Sequence, residues 1–178
     1  MVVARETHAT DAGEAVLESG ENAIDAVVAV AFTVAVTHPS AGNLDGGGFI
    51  LIRSAGGNST FIDFRERAPG SASRDMYIDP ATGKATEDSF IGYVASGIPG
   101  IVRGFEYAHD KCGREPWKEL GDPAVRLARD GFPVSSGLSQ SLHSANTCER
   151  LSRFPDSKRI FLGNPLNNGA PCEPAFIA

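Results

Sequence analysis

The sequence predicts an α+β fold in which helices are layered on a mostly antiparallel sheet. Three observations carry that expectation. A capped, almost wholly apolar run extends from Asn22 to Val36, two short β-rich segments flank a glycine-rich turn, and from Pro99 onward Pro, Asp and Gly mark helix starts and stops.

The first element is a helix from about Ala9 to Glu18, stopped at Gly20. Asn22 is a good N-cap for a second helix, with Asp25 three residues on in a near capping-box arrangement. The body of this helix, Ala26 to Val36, is apolar on every face, which predicts burial on all sides, although its β-branched residues would also suit a strand. Pro39 ends it, and a glycine-rich loop follows from Ser40 to Gly48.

Phe49–Arg53 and Thr60–Arg65 then read as a hairpin around Ala55-Gly56-Gly57-Asn58. Alternation along the second strand places Phe61, Asp63 and Arg65 on one face and Ile62 and Phe64 on the other. A polar, turn-rich stretch runs from Pro69 to Ser89. Pro99 starts a helix with Ile101, Val102, Phe105 and Ala108 along one face and Gly113 just past its end. Asp122-Pro123 reads as the N-cap and first position of another helix, which continues to Asp130 and is stopped by Gly131. A last helix is expected from Ser136 to about Leu151, ahead of a tail from Phe154 that is rich in Pro, Gly and Asn.

Two strands are too few for a stable sheet, because a lone hairpin is marginal in water. The sheet is therefore expected to be completed by residues outside these 178, and the chain to be a single incomplete domain. Its 42% hydrophobic and 21% charged composition is that of a globular protein. The formal net charge of −6 disfavours nucleic acid and anionic membranes as partners. The most apolar stretch, Ala23 to Val36, is shorter than the roughly 20 residues that span a bilayer, and it carries Asp25. The first residues lack the basic-then-apolar order of a signal peptide.

Cys112, Cys148 and Cys172 are widely spaced, and an odd number leaves at least one unpaired, which argues against a disulfide framework or a zinc site. The four histidines are equally scattered, so neither a metal nor a cofactor is expected. No G-x-S-x-G or H-E-x-x-H signature is present. Gly46-Gly47-Gly48 lacks a following Lys-Ser/Thr and leads into a strand, whereas phosphate-binding loops open a helix. Asp63 and Glu66 could act as an acid–base pair, but neighbouring carboxylates in a loop are more often solvated surface charges.

What remains is an ordered set of motifs. Gly20-Glu21-Asn22-Ala23-Ile24-Asp25-Ala26 is followed by Thr37-His38-Pro39 and Ala41-Gly42-Asn43-Leu44-Asp45-Gly46-Gly47-Gly48-Phe49. Next come Ile62-Asp63-Phe64-Arg65-Glu66 with Ala68-Pro69, Ala95-Ser96-Gly97-Ile98-Pro99-Gly100, and Pro123-Ala124 with Leu127-Ala128-Arg129-Asp130-Gly131-Phe132. In this order they resemble the early large-subunit motifs of the gamma-glutamyltranspeptidases, and they cover nearly the whole chain. Glu21 and Asp45 stand where that family usually has glycine.

The resemblance implies an N-terminal-nucleophile hydrolase with a four-layer αββα fold, of which residues 1–178 are the N-terminal portion of the large subunit. It further implies a precursor that cleaves itself to expose a threonine at the start of a small subunit. That threonine takes the gamma-glutamyl group from glutathione and passes it to water or to an acceptor amino acid or peptide. A threonine hydroxyl needs a base to remove its proton, and a free α-amine suffices. No residue here fits the nucleophile, which is expected downstream, so the chain alone is expected to be inactive.

One site residue carries over: Arg65 matches the family arginine that binds the α-carboxylate of the gamma-glutamyl group. A guanidinium suits that role because its fork donates two parallel hydrogen bonds to a planar carboxylate. The competing reading of Arg65 is a simple ion pair with Asp63 or Glu66. Arg67 is the fallback. The expected partners are a gamma-glutamyl substrate, an acceptor, the rest of the large subunit and the small subunit. The family also implies a periplasmic or extracellular location. Two other readings stay open: a related acylase that removes a glutaryl side chain from a β-lactam, and a catalytically dead truncated product acting only as a binding module.

Overall fold

The computed structural model describes residues 1–162 and the short strand at 176–177. Its helices are α1 (Thr7–Glu18), α2 (Ala23–Thr37), α3 (Ile101–Cys112), α4 (Trp117–Asp130), α5 (Ser136–His143), α6 (Ala145–Ser152) and α7 (Pro155–Phe161). The strands are β1 (Phe49–Arg53), β2 (Ser59–Asp63), β3 (Phe132–Pro133) and β4 (Phe176–Ile177), with β1 antiparallel to β2 and β3 antiparallel to β4. The expected α+β class is observed, with helices dominating beside two separate two-stranded antiparallel sheets. Among the described residues no helix is long and apolar enough to cross a membrane.

The chain divides into two compact units. The first comprises Met1–Asn43 and the chain from Cys112 onward. Here α1 packs on α2 through small residues: Ala9, Ala12 and Gly13 are buried, and a Cβ at Gly13 would lie 2.6 Å from Val30 Cγ2. The start of α2 is fixed by a complete capping box. Asn22 Oδ1 accepts from the Ile24 and Asp25 amides at 2.7 and 3.3 Å, and Asp25 Oδ2 accepts from the Asn22 amide at 3.3 Å. Asp25 is fully buried, and both its oxygens also accept from the Arg114 amide, at 3.0 and 3.1 Å. Asn22 Nδ2 donates to the Cys112 carbonyl at 2.6 Å, so one cap both starts a helix and ties residues 112–114 to it.

Burial of α2 is one-sided where the sequence predicts burial all round. Ile24, Asp25, Ala26, Val28, Ala29, Thr33 and Thr37 are buried, while Ala23 and Val27 are exposed. Helix α4 begins at Trp117, five residues before the expected start at Asp122. Pro123 therefore sits inside the helix, where a proline ordinarily costs about 3 kcal/mol. Packing offsets this cost: the Trp117 ring meets Phe32 of α2 edge-on at 5.4 Å, and Leu120 is buried. Burying a leucine side chain contributes about 1.5–3 kcal/mol. At the other end Gly131 adopts φ +79°, and the helix stops as expected.

The single helix expected over 136–151 is two. Ser144 has an extended ψ of 135°, closes α5, and caps α6 by accepting from the Thr147 amide. The tail from Phe154 opens with α7, which carries Pro155 in its first turn, and its residues 163–175 lie outside the described residues. Phe132, Leu138 and Leu142 form a small core against Val36, Leu127 and Leu151. Cys148 is disulfide-bonded, and Cys112 is free and exposed.

The second unit, Leu44–Lys111, is built on the predicted hairpin. Its register pairs Phe49 with Asp63, Leu51 with Phe61 and Arg53 with Ser59. The Ser54–Asn58 turn is closed by the Ser54 amide donating to the Asn58 carbonyl at 2.9 Å, with Gly57 at φ +87°. Strand β2 ends at Asp63, two residues before the expected limit, though the Phe64 amide still donates to the Gly48 carbonyl at 3.0 Å. Beyond it, Arg67 and Ile98 exchange both backbone hydrogen bonds, at 3.2 and 2.7 Å.

Candidate substrate-binding site

Glycines close around the Phe64-Arg65-Glu66 segment of the second unit. The Gly46 carbonyl accepts from the Gly100 and Ile101 amides at 2.9 and 3.1 Å, which joins the glycine-rich loop to the start of α3. A Cβ at Gly47 would stand 2.5 Å from the Glu66 nitrogen, and one at Gly100 would collide with the Phe64 carbonyl oxygen. At Gly104, inside α3, a Cβ would collide with the Phe64 side chain, whose ring packs on Phe105 at 5.5 Å. Glycine-rich sequence here serves close backbone approach. The loop, the segment carrying Arg65 and α3 are held as one piece.

Arg65 emerges from this brace into solvent, with a side chain that is 60% exposed. Its backbone amide donates to Asp63 Oδ1 at 3.0 Å. The side-chain Nε donates to Glu66 Oε2 at 3.0 Å, and the guanidinium lies over the Phe49 ring at 5.8 Å from its centre. Among the described residues, no hydrogen bond uses the two terminal Nη groups of Arg65. Glu66 is held below the usual carboxylate range chiefly by its own backbone N–H. Hydrogen bonding and charge from Arg65 and a contribution from the Gly47 N–H act the same way, against a desolvation effect. Glu66 is therefore ionised at neutral pH and turns the Arg65 fork outward.

A cleft of about 660 Å³ opens beside this segment, lined among others by Asp63, Arg65, Glu66, Arg67, Arg103 and Tyr107. That volume falls within the range of small-molecule sites. Arg103 pairs with Glu106 one turn along α3, and that hydrogen bond keeps it firmly protonated.

The structure thus places Arg65 at a cleft, and it joins Arg65 to Glu66 as the competing ion-pair reading anticipates. Arg67 lines the same cleft as Arg65, as expected of residues two apart, which share a face of extended backbone. Sequence reasoning missed Arg103 and Tyr107. The spacing Gly97-Ile98-Pro99-Gly100 was visible, but nothing local tells which backbone those glycines approach.

The sequence matches the profile of the family described as Gamma-glutamyltranspeptidase over residues 9–175. The glutathione hydrolase proenzyme of Escherichia coli (strain K12) is 47% identical over 180 residues, a match that covers 100% of this chain and 31% of that protein. The crystal structure of Helicobacter pylori gamma-glutamyltranspeptidase superposes with a TM-score of 0.89 at 36% identity, over 99% of this chain and 49% of the other. The cephalosporin acylase of Bacillus halodurans superposes with a TM-score of 0.71 at 26% identity, over 82% of this chain and 26% of that one. The chain spans about a third of the length of the curated relatives it matches.

Proposed function

Since this chain belongs to the gamma-glutamyltranspeptidase family, we propose that it supplies the acyl-donor end of a site for gamma-glutamyl transfer and hydrolysis, acting on glutathione and related gamma-glutamyl compounds. Residues 1–178 form the N-terminal portion of the large subunit in this reading. The nucleophilic threonine, the acceptor site and the groups that hold the substrate amine belong to the remainder of the enzyme. The threonine oxygen bonds to the gamma-carbonyl carbon and the peptide nitrogen leaves with a proton. Water or an acceptor amine then takes the acyl group from the resulting ester.

Arg65 is the substrate-binding residue of this proposal. The observation that carries it is the Arg65 side chain, whose Nε is engaged by Glu66 while, among the described residues, its Nη groups make no hydrogen bond, on a glycine-braced backbone. Two Nη donors match the two oxygens of the substrate α-carboxylate. The Arg65–Glu66 pair is exposed and worth only about 0.2–1 kcal/mol, so it orients the guanidinium without competing strongly against a substrate carboxylate.

A periplasmic or extracellular location belongs to the same proposal. The disulfide at Cys148 supports it, because structural disulfides persist in oxidising compartments.

Likeness to a cephalosporin acylase favours a second reading, cleavage of a glutaryl side chain, whose carboxylate Arg65 would bind equally well. Assaying the full-length enzyme on gamma-glutamyl and glutaryl p-nitroanilides separates the two. Preference for the gamma-glutamyl anilide is expected. Turnover of the glutaryl anilide alone would replace the first reading with the second.

A further inference from the structure

We propose that Arg67, supported by Arg103, is a second carboxylate anchor in the Arg65 cleft, selecting substrates whose leaving group also carries a carboxylate. The inference rests on the gamma-glutamyl reading above and extends it to the other end of the substrate.

The first support is placement. Arg67 is pinned by paired backbone hydrogen bonds to Ile98, two residues beyond Arg65, and it lines the cleft together with Arg65 and Arg103. The second is charge. Three arginines line this cleft against two carboxylates, and both carboxylates are engaged by Arg65: Glu66 by its Nε and Asp63 by its backbone amide.

The third support is an unused fork. Among the described residues the Arg67 guanidinium makes no hydrogen bond, ion pair or ring contact, whereas Arg103 is paired with Glu106. Arg67 is therefore the free bidentate donor, while Arg103 stands beside it on α3 paired with Glu106. The fourth is substrate chemistry. A gamma-glutamyl peptide has one carboxylate on its acyl part and another at the C-terminus of its leaving group. A single guanidinium cannot hold both in a two-bond geometry. Two arginines two residues apart in one cleft can hold one each.

The test uses the full-length enzyme with glutathione and with glutathione whose C-terminal carboxylate is replaced by an amide. In the unmodified enzyme the amide is expected to show the higher KM, by about tenfold for one lost charge-assisted contact. In Arg67→Ala that ratio is expected to fall toward one, and Arg67→Lys, which keeps the charge but not the fork, to lie between. Thermal melting of both variants reports folding, and Arg67→Lys preserves the test should Arg67→Ala fold poorly. A KM ratio unchanged in folded variants, or absent from the unmodified enzyme, would overturn the second anchor alone. An enzyme that turns over neither peptide would overturn the gamma-glutamyl reading and this inference with it.

Discussion

Gly47 is packed against the backbone at Arg65, so that a Cβ on Gly47 would stand 2.7 Å from the Arg65 Cα. The glycine-rich loop thus serves as a backbone brace for the residue proposed to bind substrate. Gly47→Ala is expected to displace the Arg65 segment and destabilise the protein by about 1–3 kcal/mol, the usual range for forced overpacking. Gly56→Ala is the control, since a Cβ there would meet only Ser54 Oγ at 3.9 Å. Thermal melts of both variants, paired with KM for a gamma-glutamyl substrate, check the claim. Equal behaviour of the two would contradict it.

Asp25 is a second point of leverage. It is fully buried, and its carboxylate satisfies the amides of Asn22 and Arg114. Hydrogen bonds to charged groups contribute about 1.5–3 kcal/mol each, so Asp25→Ala is expected to cost about 3 kcal/mol or more. Asp25→Asn keeps one acceptor oxygen and should recover part of that. Denaturant unfolding of the two variants measures the difference.

Stability should also depend on pH near neutrality through Glu115. Its carboxyl is raised from an ordinary 4.5 to about 7, first by a hydrogen bond with Glu119, then by desolvation and by the charges of Glu119 and Glu21. Glu21 follows the left-handed turn at Gly20, and the Asn22–Cys112 and Asp25–Arg114 hydrogen bonds bring its loop beside residue 115. The folded state holds the proton to higher pH than the unfolded state. The resulting stability is fully present below about pH 4.5 and is lost as pH rises through about 7. Glu115→Gln should therefore flatten the rise in melting temperature on acidification from about pH 8 to about pH 5. Parallel curves for the variant and the parent would contradict this.

Elements whose cause is local were legible in the sequence. The Asn22 cap, the turn before Asn58 and the stop at Gly131 each rest on the conformational preference of one or two residues. Elements set by distant contacts were not. Helix α4 starts at Trp117 because its ring meets Phe32, 85 positions away by number and invisible to any local window. Strand β2 ends early where Phe64 turns toward Gly104 and Phe105. Ser144 and Pro155 carried ordinary helix-start signals that the apolar pattern around them obscured. Arg65 was identifiable through its motif, whereas its brace of glycines required the fold.

The most direct test of the central claim is the KM of Arg65→Ala in the full-length, processed enzyme. Arg65 makes its proposed contact before chemistry begins, so ground-state binding should weaken first. Loss of a charge-assisted two-bond contact predicts a KM for a gamma-glutamyl substrate raised by at least about tenfold, with Arg65→Lys recovering only part. An unchanged KM in a folded, processed Arg65→Ala enzyme would contradict the account and leave Arg65 as the ion-pair partner of Glu66.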